Sequence, residues 1–526
     1  MVGPVEKEVV LSGRIPPVLR PEHPSARPIG GLVEEFGIEV AHGRTDGVEV
    51  TGITLATSDL QPGDLYVGIR GQHRHGAEFG AAAVEAGAVA ILTDAAGAEL
   101  ASGLDVPVLV VDDPRAALGE LAAWVYRTRE EPPLLFGVTG TNGKTSTAYL
   151  LDGILRQLDL VTGLSSTAER KIGDLTVVSR LTTPEASEMH ALLARMREAG
   201  VRAVAVEVSA QALSRHRVDG IVFDVAGFTN LSHDHLDDYA DMEEYFQAKL
   251  PLFQPDRARR GVVSLDSPYG ERVVESARIP VTTISARPGV DAEWRVELTE
   301  EEPAFTGFRL TGPDGRSLTT RVPLIGWHMA ANAGLALVMM VEAGFDLAVI
   351  EQALGETGID AYLPGRTERV SGDRGPSVYV DFGHSADAFE QTLGAVRSFT
   401  TGRTIMVFGA DGDRDATKRH EMARVAAEGC DVLVITDHHP RFEDPASIRA
   451  TLLEGAALAT NTPEIHEVSP PEAAIRVAVG LAKEGDSILW AGPGHQDYRD
   501  IRGVRTEYSA REEARAALRE AGWPTR

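Results

Sequence analysis

Short apolar runs and longer helical stretches alternate along most of the chain. Between Gly30 and Glu130 the runs VEVTGITL, DLYVGI, AVAILTD and VPVLVVDD are separated by alanine-rich segments such as GAEFGAAAVEAG. Continuous apolar runs of this length, interleaved with helical periodicity, predict buried parallel strands with crossover helices. The segment TREEPP, ending at Pro133, reads as a linker. A second α/β unit opens with LLFGVTGTNGKTSTAYLLDGILRQL, in the order strand, glycine loop, helix. Its later strands are AVAVEVS, VAGFTN and GVVSL, and it closes on the helical GWHMAANAGLALVMMVEAG and the turn-rich AYLPGR. A third unit starts near Thr367 and runs through the strands SVYVDFG, TIMVFGA, DVLVITD and SILWAGPG. The pattern therefore predicts an α/β protein of three domains: 29–132, 133–364 and 365–526. A proline- and charge-rich arm over residues 1–28 precedes them and is expected to be loose.

Length and composition agree with this division. A chain of 526 residues with 43% hydrophobic and 25% charged residues has material for several cores. Acidic residues outnumber basic ones, 78 to 51, for a net charge of -27. Such a field repels nucleic acid and anionic membranes, so the expected partners are small molecules, and anionic substrates would need local cations. Cys430 is the only cysteine, the N-terminus has no signal-like apolar core, and no apolar run approaches the roughly 18 residues of a membrane span. The expected location is cytoplasmic. The oligomeric state is left open.

The strongest chemical signal is Gly140-Thr141-Asn142-Gly143-Lys144-Thr145-Ser146, between a strand and a helix. Successive backbone N–H groups and a helix N-terminus cradle phosphates; Lys144 can reach the β- and γ-phosphates, and the Thr145 hydroxyl can bind Mg²⁺. Val138 stands where the strict phosphate-loop pattern has its first glycine. Glu207 follows the apolar run AVAV, and a carboxylate at a strand end can hold a Mg²⁺ that bridges nucleotide phosphates.

This loop variant resembles that of the Mur ligases and the related folylpolyglutamate synthetases. The resemblance continues, in order, through LTTPE (Leu181–Glu185), EVS (Glu207–Ser209), NLSHDHLD (Asn230–Asp237), the AKL around Lys249, PGR (Pro364–Arg366), GDRDATKR (Gly412–Arg419), HHPRFEDP (His438–Pro445) and AGPGHQDY (Ala491–Tyr498). It covers nearly the whole chain and is closest to the type-E branch of the Mur ligases, which adds the third amino acid of the peptidoglycan stem. HHPRFEDP and the N-terminal unit have no counterpart in folylpolyglutamate synthesis.

The resemblance implies a UDP-binding N-terminal domain, a central ATPase domain and a Rossmann-like C-terminal domain that binds the amino acid. It implies Mg²⁺ held by Thr145, Glu207, His235 and a carbamylated Lys249 (N6-carboxylysine). Unmodified, Lys249 would be a charge partner or a snorkelling stem. Asn332 falls at the adenine position, and Arg366 and Asp381 fall at phosphate and ribose positions. Thr182, Thr183, Ser209, Arg215 and Arg217 fall on the acceptor side. Arg414, His438, His439, Arg441, Gly492 and Gln496 fall on the amino-acid side, where arginine forks can hold a carboxylate bidentately. The activity implied is ATP-dependent addition of a diamino acid, such as lysine, ornithine or diaminopimelate, to UDP-N-acetylmuramoyl-L-alanyl-D-glutamate through an acyl phosphate.

Departures from the family pattern cluster on the substrate side. The family's DNPR is His438-His439-Pro440-Arg441, and its KGHE is Pro493-Gly494-His495-Gln496. Thr57-Ser58 replaces Ser-Arg, His75-Gly76 replaces Asp-Gly, Ser209-Ala210-Gln211 replaces SSH, and His328-Met329 replaces Phe-Asn. The alternatives are a diverged ligase acting on a non-muramoyl acid in a specialised pathway, or a nucleotide-binding regulator without ligation. Intact Lys144, Glu207, His235 and Lys249 argue against the regulator.

Overall fold

A computed structural model describes residues 16–526, except Gln72 and the side chain of Asp314. The chain forms three α/β layers in succession. In the first, a sheet runs in the order Glu39–His42, Val108–Val110, Ala90–Thr93, Asp64–Gly68, Gly52–Thr54, with only the Glu39–His42 edge antiparallel. The helices Ile29–Phe36 and Pro114–Val125 cover one face through Ile29, Leu32, Leu118 and Leu121. The first 15 residues of the expected arm lie outside the described residues. The part from residue 16 on is not loose. Arg20 donates to both carboxylate oxygens of the buried Asp64, and Arg27 lies 3.4 Å over the Trp124 ring. The backbone N–H groups of Glu22 and His23 both donate to the Glu198 carboxylate. Charge-rich composition suggested a solvated tail; ion pairing to the two following units fixes it instead.

The central sheet has eleven strands. Its parallel middle is Thr162–Ser165, Ala203–Glu207, Leu134–Thr139, Phe223–Phe228, Ala258–Ser264, Val281–Ser285 and Trp294–Glu302. Period-two alternation divides each strand between two cores. Phe136 and Val138 pack under the helices Lys144–Gln157 and Trp327–Glu342, whereas Leu135, Val204 and Val206 face Met189, Leu192 and Phe246 on the other side. Antiparallel hairpins extend both ends, Glu169–Ile172 with Leu175–Val178 and Phe305–Thr311 with Ser317–Val322. The hydropathy pattern does not announce Trp294–Glu302 (WRVELTEEE), against which the second hairpin pairs, because it is polar along most of its length and solvent-facing.

The third sheet runs Glu368–Arg369, Ser377–Asp381, Ser487–Ala491, Thr404–Phe408, Val432–Ile435, Glu464–Glu467, parallel except at the first strand. No helix among the described residues is long and apolar enough to cross a membrane. The carboxyl ends of the second and third sheets face a common cleft of about 660 Å³.

Candidate active site

The strand Leu134–Thr139 sits where the central sheet reverses its winding, with Ala203–Glu207 on one side and Phe223–Phe228 on the other. Ligands of open α/β sheets bind at the carboxyl ends of strands around such a point. The loop that follows requires its glycines. Gly140 has φ 147°, and a Cβ there would lie 1.9 Å from Thr229 Oγ1. Gly143 has φ 85°, and a Cβ there would lie 2.5 Å from Asn332 Oδ1. The next segment moulds the loop: Thr229 Oγ1 donates to the Asn142 carbonyl at 2.6 Å, and Asn230 Oδ1 accepts from the Asn142 N–H at 3.0 Å. The helix Lys144–Gln157 then begins with free N–H groups aimed at the cleft.

Lys144 folds back over this turn, its Nζ donating to the carbonyls of Gly140 (3.0 Å) and Thr141 (2.7 Å). Burial lowers its pKa, with Glu207 and Asp234 pulling the other way. Glu207 is fully buried at the end of its strand, and both of its oxygens are oriented by Thr167, through the backbone N–H (2.9 Å) and the hydroxyl (3.0 Å). Glu207 and the Thr145 hydroxyl are hard oxygen donors of the kind Mg²⁺ takes, so the donor set fits that ion.

Lys249 lies behind the same loop and is 1% exposed. Its Nζ donates to the Gly140 carbonyl at 3.1 Å and sits 4.2 Å from the centroid of the Tyr245 ring. No carboxylate of the described residues lies within ion-pair distance of it. Burial first, then the Lys144 charge, push its pKa well below the lysine range. His235, at φ 57°, is held by Gln211, 3.1 Å from its Nδ1. Burial lowers its pKa to about 4, so the ring is neutral and able to ligate.

The C-terminal unit closes the cleft from the other side. Arg366, stacked 4.3 Å over the Phe382 ring, donates to Thr145 Oγ1 at 2.9 Å. Asp381 accepts from the backbone N–H of Thr367 at 2.7 Å and of Gly383 at 2.5 Å. Asn142 Nδ2 donates to Asp387 at 2.9 Å, a direct link between the phosphate loop and the C-terminal unit. Ser146 and Asn332 line the same cavity.

On the acceptor side, Thr182, Ser209, Arg215 and Arg217 line the cleft. Arg215 pairs with Asp238 at 3.0 Å and Arg217 with Glu185 at 3.0 Å. Thr183 stands behind them, fully buried, its hydroxyl donating to the Glu207 carbonyl at 2.7 Å. It supports the acceptor side indirectly, its hydroxyl also accepting from the Ser209 N–H at 3.2 Å and its carbonyl facing Arg217 at 3.5 Å. On the amino-acid side, Arg414, His438, Arg441, Gly492 and Gln496 line the cleft.

His439 does not. It is 3% exposed, its Nδ1 accepts from the Asp500 N–H at 3.1 Å, and its Nε2 faces Gln496 Oε1 at 2.8 Å. Its ring stacks on Tyr498 and is held neutral by burial, with pKa about 4. Motif order assigns adjacent residues to one surface, but His439 packs behind His438, ring centroids 4.1 Å apart, and only the front ring meets the cleft.

Sequence reasoning also missed residues. Asp234 and Lys418 bridge the two units, and Tyr245 backs both Lys249 and the Thr141 hydroxyl. Asp411, one residue before GDRDATKR, lines the amino-acid side. Its place just past the apolar run TIMVF was the available signal.

Comparison with known proteins agrees with this architecture. Residues 138–340 match the Mur ligase middle domain, 365–494 the Mur ligase glutamate ligase domain, and 49–126 the Mur ligase family catalytic domain. The UDP-N-acetylmuramyl-tripeptide synthetase of Leifsonia xyli subsp. xyli is 62% identical over 514 residues, covering 98% of this chain and 100% of that protein. The UDP-N-acetylmuramoyl-L-alanyl-D-glutamate--2,6-diaminopimelate ligase of Streptomyces coelicolor is 43% identical over 95% of this chain and 98% of its own length. A solved structure of a UDP-N-acetylmuramoyl-L-alanyl-D-glutamate--2,6-diaminopimelate ligase superposes with a TM-score of 0.64 at 27% identity, covering 93% of this chain and 99% of that one. The MurF ligase of Thermotoga maritima, solved in complex with ADP, shares the fold at a TM-score of 0.62 and 16% identity, over 89% of this chain and 97% of that one. By full-length sequence similarity and by fold, this chain belongs to the Mur ligase family of ATP-dependent, ADP-forming ligases.

Proposed function

We propose that the protein joins an amino acid to the free carboxylate of UDP-N-acetylmuramoyl-L-alanyl-D-glutamate, in the building of peptidoglycan precursors. The observation that carries this reading is the meeting, in one cleft, of the phosphate loop, Glu207 and the acceptor-side arginines with the arginines of the third sheet. Full-length similarity to tripeptide synthetases supports the muramoyl acceptor.

In this reading the γ-phosphoryl group passes from ATP to the acceptor carboxylate, and ADP leaves. Lys144 and the N–H groups of residues 143–146 stabilise charge spreading over the transferring oxygens. Thr145 and Glu207 would hold a Mg²⁺ ion, which supplies further charge neutralisation, and His235 with a modified Lys249 would hold a second. Burial of Lys249 favours its neutral amine, the form that attacks CO₂ to give a carbamate with release of a proton; this puts oxygen donors where a bare lysine has a nitrogen. Asn332, Arg366 and Asp381 would position adenine, phosphate and ribose. Arg217, Arg215, Thr182 and Ser209 would hold the acceptor.

The incoming α-amine then attacks the acyl phosphate, and the tetrahedral species expels phosphate and gives the amide. Arg414 and Arg441 line the amino-acid side, and Arg414, which makes no ion pair among the described residues, offers a fork for the α-carboxylate. The contacts Asn142–Asp387, Arg366–Thr145 and Lys418–Asp234 close the cleft, which protects the acyl phosphate from water. An ATP-consuming, peptidoglycan-precursor enzyme with a single buried thiol would work in the cytoplasm.

The altered N-terminal residues do not by themselves point to another acceptor. His75 is a local cap, accepting from the Ala77 N–H at 3.1 Å and facing Asp94 at 3.1 Å. The test is mass spectrometry of products formed from ATP, UDP-N-acetylmuramoyl-L-alanyl-D-glutamate and mixed amino acids. A new amide of the acceptor plus one residue, with ADP, is expected. ADP formation only with a different acid would favour a diverged, non-muramoyl ligase.

A further inference from the structure

Asp411 lies just past the strand Thr404–Phe408, at the carboxyl end of the third sheet. It shares a corner of the cleft with His438, Arg441, Gly492 and Gln496. Its Oδ1 accepts from His438 Nδ1 at 2.7 Å, and its Oδ2 stands 3.5 Å from the Arg441 guanidinium. The side chain remains a third exposed. Gln496 spends its carbonyl on His439, so its amide presents donors rather than an acceptor to this corner. Asp411 is thus the carboxylate of the corner.

These neighbours suit a particular side chain. Burial opposes the charge on Asp411, but the hydrogen bond from His438 and the Arg441 charge outweigh it and keep the group ionised. The Arg441 charge is already partly offset by Asp411, which weakens this corner as a site for a second carboxylate. A distal carboxylate placed here would meet Asp411 directly and be repelled, whereas a distal ammonium would gain a charge-assisted hydrogen bond. A cation site built from Asp411, His438 and His439 does not compete. Both ring nitrogens of His439 are engaged, which leaves two donors where a transition-metal site needs three or four.

Resting on the ligase reading above, we propose that Asp411 selects the incoming amino acid, admitting a side chain that ends in an ammonium group with no carboxylate beside it. Arg414 is left to hold the α-carboxylate. The preferred substrate is a simple diamino acid, and meso-diaminopimelate is disfavoured.

The experiment measures kcat/KM for matched pairs, lysine against norleucine and ornithine against norvaline, together with meso-diaminopimelate. It uses the full chain, ATP and UDP-N-acetylmuramoyl-L-alanyl-D-glutamate. The unsubstituted enzyme should favour the amine-bearing member of at least one pair by roughly 10- to 100-fold. Asp411→Asn should collapse that ratio, mainly through KM for the amino acid, with KM for ATP unchanged. Because the ratio is taken within one preparation, a reduced folded fraction cancels. Should Asp411→Asn turn over nothing, Asp411→Glu must retain the preference, or the inference fails. An unchanged ratio in Asp411→Asn, or a preference of the unsubstituted enzyme for meso-diaminopimelate or for the neutral members, overturns it. Failure of the unsubstituted enzyme to ligate any amino acid overturns the ligase reading and this inference with it.

Discussion

Lys418 Nζ lies 2.8 Å from Asp234 Oδ1, joining the third unit to the segment that carries His235. Both side chains are largely buried, and His384 stands 3.7 Å from the second oxygen of the same carboxylate. Burial works against the Asp234 charge, but His384 and Lys418 hold its carboxyl well below the usual range. The closed cleft therefore depends on a desolvated ion pair, and removing one partner of such a pair leaves the other uncompensated.

Lys418→Met should accordingly loosen closure. The expected result is a fall in kcat/KM of roughly one to two decades, consistent with about 1.5–3 kcal/mol for a lost charge-assisted hydrogen bond. Small-angle scattering with ATP and acceptor present should show a larger radius of gyration than for the unsubstituted protein. Unchanged kinetics and dimensions would remove the pair from the closing machinery.

Lys144→Ala should abolish turnover in a folded protein. Its Nζ is held at the mouth of the phosphate loop by the Gly140 and Thr141 carbonyls, poised for charge that develops on phosphate. Loss of such a stabilising group commonly costs several kcal/mol, or a few decades in rate. Phosphate release, with circular dichroism as the folding control, measures it. Near-normal turnover would contradict the phosphate-loop role.

Lys249→Ala should be nearly inactive and partly rescued by acetate, whose carboxylate can enter the space left by a carbamate. Intact-mass measurement under CO₂-rich, non-denaturing conditions should show one added CO₂ on the unsubstituted chain and none on the variant. A bare amine together with no rescue would make Lys249 a plain structural lysine, held by the Gly140 carbonyl and the Tyr245 ring.

Stability should fall as pH drops from about 6.5 to 4, before the carboxylates titrate. His190 is fully buried between Thr128 and the Asp219 carbonyl, and burial lowers its pKa to about 4. Between that value and the unfolded value of about 6.5, the unfolded chain binds the extra proton. Stability therefore rises with pH across the window and is lost on acidification, by up to about 3 kcal/mol for such a group. Urea midpoints measured from pH 7 to 4 should show this slope, and His190→Gln should reduce it by one group's share, leaving the parts due to the other buried histidines such as His235 and His439. An equal slope in that variant would assign the effect to other groups.

The amino-acid sequence by itself determined the layered α/β architecture and the phosphate loop. Buried parallel strands need continuous apolar runs, and a loop that must pass Thr229 and Asn332 at close range can be built only with Gly140 and Gly143. Both constraints are local, so they are written in consecutive residues. The ordered motifs likewise carried the family and its reaction. Polar strands such as Trp294–Glu302 were not legible, because a strand solvated along most of its length and ending in a charged tail has no apolar run. The docking of residues 16–28 was hidden too, since Arg20 finds Asp64 and Arg27 finds Trp124 only after the first sheet is folded. The same reason separates His438 from His439. Sequence gives them adjacent numbers, but the backbone turns one ring toward the cleft and commits the other to Gln496 and Asp500. Tertiary structure alone brought Asp411 beside His438 and Arg441, and Lys418 beside Asp234, because contacts between distant segments depend on how the sheets are placed. No local pattern encodes that placement.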